Sequence, residues 1–459
     1  MTYSKQRRLL LRSIAPVGTA AALGTLGLLG GCGDGSSGSK RDVVTEALRD
    51  VCLPPLPIPA VDVDAVRATL AQSFLEGDDT NQADTFRNVD LLHTTRPIAQ
   101  NRCRGDALER DPRFDLSDLR YTYDAQSQSV DNYMARNRTA GLLVLKDGKV
   151  VLERYGMGQT ETAKWTSFSL TKSFTGTLAG AAVQDGQLAL WQSVAHYLGR
   201  DATGRYADVP IENLLRMRSG IGWQELDISR LGQVFLPMLT LNAGRKGDVI
   251  SAVVQQVQEL SQDAGASAFR YSTPDSIMLG AVIQAATGQP LNAYLQEKIW
   301  EPAGMAYDGY WLSESTEGIE IGGAGISATL QDFGRFGQFI LTGAKGRDGK
   351  SILPPGWARS AYFSGPGGGP GQFVRVSEEE PHGYGYQWWI VSPDDAGRPA
   401  DTRPPIFYAS GLMGQRIFID PVSNVVMVIL SAWPMMDLLY AERNIQTLAL
   451  LRATIQRLS

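Results

Sequence analysis

The chain has 459 residues, of which 43% are hydrophobic and 20% are charged, an ordinary composition for a globular protein. The formal net charge is −5 with both signs mixed, and no long Lys/Arg run follows the first residues, which argues against nucleic acid as a partner. The three histidines, His93, His196 and His382, are far apart and lack metal-ligand spacing. Neither a zinc site nor a histidine base is therefore expected, although a role for one histidine singly stays open, and no cofactor is predicted.

Residues 1–31 are predicted to be a targeting segment. A basic start with Arg7 and Arg8 precedes an apolar run, 15–29, that is too short and too rich in glycine for a confident membrane span. The run ends in two glycines and Cys32, which is typical of a bacterial lipoprotein cleavage box, and the twin arginines resemble a Tat export signal. We predict an exported periplasmic or cell-envelope lipoprotein of a bacterium, held to the membrane by a lipid on Cys32. An ordinary cleaved signal peptide is the alternative.

Residues 32–130 are predicted to form a tether and an N-terminal extension that packs on the main body. The tether, 33–39, is rich in glycine and serine and therefore flexible. Cys52 and Cys103 could form one disulfide in an oxidising compartment. A catalytic cysteine is the weaker interpretation, because neither has a base nearby in the sequence.

Residues 131–459 are predicted to be the main domain. Two β-branched runs around an Asp-Gly turn predict a hairpin over 140–155. A region over about 190–330 reads as helical. The other predicted elements are helices at 169–184, 211–217, 248–261, 276–286, 332–342 and 438–458, and strands at 383–390, 406–410, 415–420 and 425–431.

Ser169 and Lys172 lie three residues apart at the start of a predicted helix. Residues at i and i+3 share one face of a helix, so the hydroxyl and the amine can meet without another segment. A serine needs a base beside it, and a lysine can serve only if burial or the helix N-terminus lowers its pKa. The N–H groups of the helix N-terminus can also bind an oxyanion. Because Ser-x-x-Lys is common by chance, a capping serine with a surface lysine is the alternative.

Two further motifs follow in chain order. Tyr271 lies on a predicted loop just before a helix, because Pro274 fits a first helical turn. A half-buried packing aromatic is the alternative for this tyrosine. The second motif, residues 409–412, lies on a predicted strand near the C-terminus.

Residues 169–172, 271–273 and 409–412 resemble, in their order and separation, the motifs of the serine β-lactamase and penicillin-binding-protein superfamily. The chain is most similar to the branch that holds class C β-lactamases, family VIII esterases and 6-aminohexanoate-dimer hydrolases, over about residues 130–459. The resemblance implies an α/β (α+β) fold. In that fold an antiparallel five-stranded sheet, made of the N-terminal hairpin and three C-terminal strands, is flanked by helices. The intervening residues form an inserted all-helical lobe, about 190–330, and the active site lies between the lobe and the sheet.

The resemblance also implies roles for individual residues. Ser169 would be the nucleophile that forms an acyl-enzyme, and Lys172 would take its proton. Tyr271 would relay protons to the leaving group and help to activate water. The N–H groups of Ser169 and Leu412 would form the oxyanion hole, in which one donor typically contributes about 10²–10³ in rate.

Departures from the family pattern concern the substrate. Thr273 stands where many β-lactamases have asparagine, and Ala409 stands where β-lactamases and peptidases usually carry a lysine that helps to hold a carboxylate. Losing that charge removes a contact of about 1.5–3 kcal/mol. Ser410, Gly411 and Trp223 are the other residues expected near substrate.

We therefore predict a serine hydrolase that cleaves ester or amide bonds of small or oligomeric substrates. One alternative is a β-lactamase or D,D-peptidase. Another, of a different class, is a non-catalytic binding lipoprotein on the same fold.

Overall fold

The structure, a computed structural model, describes most of the chain after residue 81, and these residues belong to one compact unit, Cys52–Ser459. The described ranges are 82–100, 107–223, 225, 248–258, 260, 269–346, 348–362, 373–375, 381–392, 396–399, 404–434 and 440–459. Cys32, Cys52 and Cys103 lie outside them, so the lipid anchor and the disulfide stay predictions. Within these ranges no helix combines the length and apolar character that crossing a membrane requires.

Fourteen strands in the described ranges form three antiparallel sheets. They are β1 Thr95–Ile98, β2 Arg120–Tyr123, β3 Gln126–Ser129, β4 Thr139–Lys146, β5 Lys149–Tyr155, β6 Trp165–Thr166, β7 Gly309–Leu312, β8 Ile326–Ala328, β9 Phe373–Arg375, β10 Pro381–Tyr384, β11 Trp389–Ile390, β12 Phe407–Gly411, β13 Gln415–Asp420 and β14 Val425–Ser431.

Twelve α-helices accompany them in the same ranges. They are α1 Gln82–Arg87, α2 Val89–Leu92, α3 Val130–Arg136, α4 Thr171–Gln184, α5 Val194–Leu198, α6 Ile211–Leu215, α7 Asp248–Val257, α8 Thr273–Thr287, α9 Leu291–Leu295, α10 Leu330–Leu341, α11 Trp357–Ala361 and α12 Tyr440–Leu458.

The main sheet has eight strands in the order β5-β4-β14-β13-β12-β11-β10-β9. The five strands predicted from the resemblance are contiguous within it, so the antiparallel arrangement is confirmed. The predicted count of five is too low, because three short strands extend the β12 edge.

The strand predicted at 383–390 is in fact the β10–β11 hairpin, which turns at Gly385 where a side chain would collide with the Ala361 backbone. Strands this short contain too few residues for a periodic signal.

Helices cover the main sheet on both faces, and β4 is therefore buried on both sides. Leu143 and Leu145 belong to an apolar cluster that includes α4 and α10. Leu142 and Val144 belong to a second cluster that includes Leu450 of α12. A strand buried on both faces reads as a continuous apolar run, which is how the sequence presents it. The predicted α+β class with helices flanking the sheet is confirmed.

The lobe predicted as all-helical contains two strands, which is a correction. β7 and β8 lie inside 190–330 and join β1 and β6 in a four-stranded sheet of order β1-β7-β8-β6. All four residues of β7 are buried, so the strand shows no alternation of polar and apolar residues that would reveal it. The small sheet matters for the site, because β6 pairs through Trp165 and Thr166 with β8 directly before the Ser169 turn.

Candidate active site

Ser169 lies in a tight turn that joins β6 to α4. The turn is a 3₁₀ segment, Phe168–Leu170, and α4 follows at once, so the predicted helix start is confirmed. Phe168 has φ 47°, a left-handed backbone conformation that is uncommon for a bulky residue. Such a strained conformation persists only when the surrounding structure holds it in place. The Phe168 ring packs edge-on against Phe86 at 4.9 Å between centroids. This turn presents the half-buried Ser169 at the start of the helix.

Lys172 is fully enclosed, with 1% of its surface exposed. Its Nζ lies 2.9 Å from Ser169 Oγ, 2.9 Å from Thr273 Oγ1 and 2.8 Å from the carbonyl oxygen of Gly323. The alternative of a surface lysine beside a capping serine is therefore wrong. The i, i+3 spacing brings the hydroxyl and the amine into contact, and two other segments complete the shell around the amine.

The buried position changes the acidity of this amine. Burial lowers the pKa of Lys172 to about 8, and the negative charge of Glu225 opposes that shift. A pKa near 8 leaves a useful fraction of neutral amine close to physiological pH. Lys172 is thus able to accept a proton from the hydroxyl that it contacts.

Tyr271 lies beside the same amine. Lys172 Nζ is 5.1 Å from the centroid of the Tyr271 ring, and the ring is half-buried against Trp389 at 5.3 Å. Burial raises the pKa of Tyr271, the Glu225 charge raises it further, and hydrogen bonding with Ser169 opposes the rise. Tyr271 is therefore protonated at neutral pH and holds a proton beside the Ser169 oxygen.

Glu225 is a site residue that the sequence did not reveal. Its carboxylate accepts hydrogen bonds from the Thr273 hydroxyl, from the Thr273 backbone N–H at 2.9 Å and from Trp223 Nε1 at 2.6 Å. Trp223, expected near substrate, is itself buried and reaches the site through this carboxylate. No local pattern marks Glu225, because its partner Thr273 is 48 positions away in the chain.

The end of β12 forms the other wall of the site. A side chain at Gly411 would collide with the carbonyl oxygen of Ser167, so glycine allows β12 to approach the Ser169 turn. Leu412 is 40% exposed and begins a 3₁₀ turn, Leu412–Gly414. This turn contacts the Ser169 turn. This approach is consistent with an oxyanion hole between Ser169 and Leu412.

Ala409 and Ser410 point to different environments in the same strand. Ala409 is fully buried in the apolar core, so it offers no polar group where a lysine would stand in the family pattern. Ser410 is half-buried and pairs across the sheet with Arg416. The Arg416 guanidinium donates to the Gly411 carbonyl at 2.8 Å and to Asn444 at 2.9 Å. The structure therefore brings Ser169, Lys172 and Tyr271 together and has no charged group at position 409. Across the described part of the chain no cluster of potential metal ligands is found.

A family model described as Beta-lactamase matches residues 127–449. The chain belongs to the beta-lactamase family. A 6-aminohexanoate-dimer hydrolase of Paenarthrobacter ureafaciens is 25% identical over 298 residues, which are 64% of this chain and 73% of that protein. Protein flp of Staphylococcus aureus (strain NCTC 8325 / PS 47) is 28% identical over 208 residues, 42% of this chain and 39% of flp, so that match spans well under half of flp.

The fold of this beta-lactamase family member also resembles a solved structure from Bacillus anthracis, provisionally named a 6-aminohexanoate-dimer hydrolase. The TM-score is 0.67 at 22% identity, and the alignment covers 81% of this chain and 94% of the other. Similarity at that identity establishes the fold. The protein is a beta-lactamase-fold hydrolase related to a 6-aminohexanoate-dimer hydrolase.

Proposed function

We propose that this protein is a serine hydrolase that cleaves ester or amide bonds through an acyl-enzyme on Ser169. The observation that carries the proposal is the 2.9 Å contact between Lys172 Nζ and Ser169 Oγ. A hydroxyl becomes a competent nucleophile when a neutral base contacts it, and burial holds the pKa of this base at about 8.

Acylation follows from the positions of three groups. Ser169 Oγ attacks the substrate carbonyl carbon while its proton passes to the neutral amine of Lys172. The resulting oxyanion lies where the N–H groups of Ser169 and Leu412 can stabilise it. As the bond to the leaving group breaks, Tyr271 supplies a proton to the departing alkoxide or amine and regains one from the Lys172 ammonium.

Deacylation reverses these proton movements with water as the nucleophile. As the water oxygen attacks the ester carbonyl of the acyl-enzyme, water gives one proton to Tyr271, which passes its own proton to the neutral amine of Lys172. Ser169 Oγ then leaves the acyl carbon and takes a proton from the Lys172 ammonium, which releases the carboxylic acid product and restores the starting state. Both half-reactions use the same buried groups, so one set of pKa values governs both.

The substrate class rests on the β12 wall. Ala409 supplies no charge, which disfavours a substrate recognised mainly by a carboxylate at that point. One relative is named a 6-aminohexanoate-dimer hydrolase, and a dimer of this kind is a small oligomeric substrate. Together these favour small or oligomeric esters and amides over β-lactams and cell-wall peptides.

A panel of substrates tests this proposal. Short-chain p-nitrophenyl esters, amide dimers and a chromogenic cephalosporin are offered to the purified enzyme and to Ser169→Ala. We expect ester or amide turnover that the variant loses, with little cephalosporin turnover. Dominant cephalosporin hydrolysis would favour the β-lactamase alternative, and absence of all turnover by the folded protein would favour a binding role.

We also propose that the protein is exported and lipidated at Cys32. The support is the twin-arginine start, the apolar run and the glycine pair before the cysteine. Metabolic labelling with an alkyne fatty acid should mark the wild type and not Cys32→Ser. Equal labelling of both proteins would contradict lipidation at this residue.

A further inference from the structure

The Thr273 hydroxyl lies between a carboxylate and an amine. It contacts a carboxylate oxygen of Glu225 on one side and lies 2.9 Å from Lys172 Nζ on the other. An ionised carboxylate has no proton to donate, so the single hydroxyl proton of Thr273 must point to Glu225. Toward Lys172 the hydroxyl can then act only as an acceptor.

Lys172 has a second partner that can only accept. The carbonyl oxygen of Gly323 lies 2.8 Å from Nζ and carries no proton. A neutral amine has two N–H bonds and one lone pair. If Thr273 and Gly323 take both N–H bonds, the lone pair is left facing the third partner, Ser169 Oγ at 2.9 Å.

We propose that Glu225 is a positioning residue, which holds the Thr273 hydroxyl as an acceptor and thereby aims the lone pair of Lys172 at Ser169. The inference rests on the proposed serine-hydrolase function and adds a residue to it. It also gives a reason for the departure at position 273. An asparagine carbonyl oxygen can only accept, whereas a threonine hydroxyl rotates and needs Glu225 to set its direction.

Charge adds a second consequence. The groups that face the Lys172 amine are the Ser169 and Thr273 hydroxyls, the Gly323 carbonyl and the Tyr271 ring, and Glu225 is the charged group that acts on it. Because the Glu225 charge raises the pKa of Lys172, its removal lowers that pKa. A merely structural role for Glu225 would not move the pH at which the base loses its proton.

The test is a double-mutant cycle of Glu225→Gln and Thr273→Val, with ester turnover measured from pH 5 to 10. In Glu225→Gln the new amide can donate to Thr273, whose proton is then free to capture the Lys172 lone pair. We expect kcat to fall about 10²-fold in each single variant with KM changed less than about threefold, since positioned general-base catalysis contributes about 10²–10⁴. Thr273→Ser, which keeps the hydroxyl, should retain most of the wild-type kcat.

The cycle separates positioning from structure. If Glu225 acts through the Thr273 hydroxyl, Glu225→Gln should cost less than about threefold in the Thr273→Val background. The acid limb of the pH profile should also move to lower pH in Glu225→Gln. Glu212→Gln is the matched control, because it neutralises a carboxylate bonded to Tyr386 and Arg216, and it should leave kcat and the profile unchanged.

Losses that multiply in the double variant, or an unmoved acid limb, would overturn the inference. If Thr273→Val does not fold, Thr273→Ala, which also lacks the hydroxyl, takes its place in the cycle. Failure of the parent proposal looks different, because the wild type itself would then form no acyl-enzyme on Ser169. A wild type that turns over esters while Glu225→Gln matches it in kcat and pH profile would refute the positioning role alone.

Discussion

The two walls of the site differ in how tightly their polar groups are held. The first wall, which we call the α4 wall, is the N-terminal part of α4. Its polar side chains are buried and bonded: Lys172 to three partners, Ser173 to the Gln387 carbonyl at 2.7 Å and Thr175 to the Gly322 carbonyl at 2.6 Å. On the β12 wall, Ser410 is half-buried and Leu412 is 40% exposed. Polar groups fixed in a buried network are pre-organised for chemistry, whereas exposed groups are free to meet different substrates.

From this contrast we expect catalysis and substrate specificity to be separable in this hydrolase. Changes on the α4 wall should lower kcat for every substrate. Changes at exposed positions of the β12 wall should alter KM in a substrate-dependent way. Gly411 is an exception to this division, because it lies on the β12 wall next to the Ser167 carbonyl. A change there should therefore affect both walls.

Removing the proposed base, Lys172, should have the largest effect. Lys172→Met keeps a long apolar side chain and deletes the amine, so kcat should fall by about 10³–10⁴-fold, at the upper end of general-base contributions. Steady-state ester kinetics measure the loss. The matched control is Lys298→Met, which deletes a lysine bonded to Asp185 and Glu297, and its kcat should stay at the wild-type value. Substantial ester turnover by Lys172→Met would show that another group is the base.

Gly411→Ala should have the next largest effect. A methyl group here collides with the Ser167 carbonyl, which pushes β12 away from the Ser169 turn and opens the predicted oxyanion hole. The loss in kcat should be about 10²–10³-fold, as for one oxyanion donor. In Gly346→Ala, the control, the nearest atom to the new methyl group is an Asp348 carboxylate oxygen at 3.3 Å, and kcat should hold. Equal kcat values in both variants would contradict the close approach of the two walls.

The buried amine should also affect stability in a pH-dependent way. The pKa of Lys172 is about 8 when folded and 10.5 as the ordinary value, so the unfolded chain binds more protons between these pH values. Burying the charged amine lowers the free energy of unfolding, and this cost is fully present below pH 8. The free energy of unfolding therefore rises with pH between 8 and 10.5, where the folded protein already holds the neutral amine.

Between pH 7 and 10 the free energy of unfolding of wild type, relative to Lys172→Met, should rise by about 2–3 kcal/mol. Denaturant unfolding at several pH values measures the difference, and the variant serves as the reference for all other titrating groups. Parallel curves for the two proteins would mean that the folded state does not hold Lys172 as a weakened base.

Ser410→Ala should have the smallest effect. It removes one hydroxyl donor from the β12 wall, and such a bond typically contributes about 0.5–1.5 kcal/mol, or roughly two- to twelvefold. We expect a higher KM that differs between substrates, with kcat nearly unchanged. A large fall in kcat for all substrates would move Ser410 into the chemical machinery and erase the distinction between the walls.

The sequence predicted the parts of this site that depend on local spacing or on ordered motifs. Ser169 and Lys172 meet because helix geometry sets their separation, and Tyr271 and Thr273 lie beside them, just before and at the start of α8. The sequence did not predict Glu225, because its contact with Thr273 is distant in the chain and depends on tertiary packing. The β7 and β8 strands were missed in the lobe because they are short and wholly buried, which removes the alternation that marks a strand.

The most direct test of the Ser169–Lys172 pair is covalent labelling with a fluorophosphonate. Intact-protein mass spectrometry of the folded enzyme should show one adduct, and peptide mapping should place it on Ser169. Lys172→Met should label far more slowly, because the hydroxyl then has no base in contact. An unlabelled folded wild type, a label on another residue, or equal labelling of Lys172→Met would contradict a Ser169 nucleophile activated by Lys172.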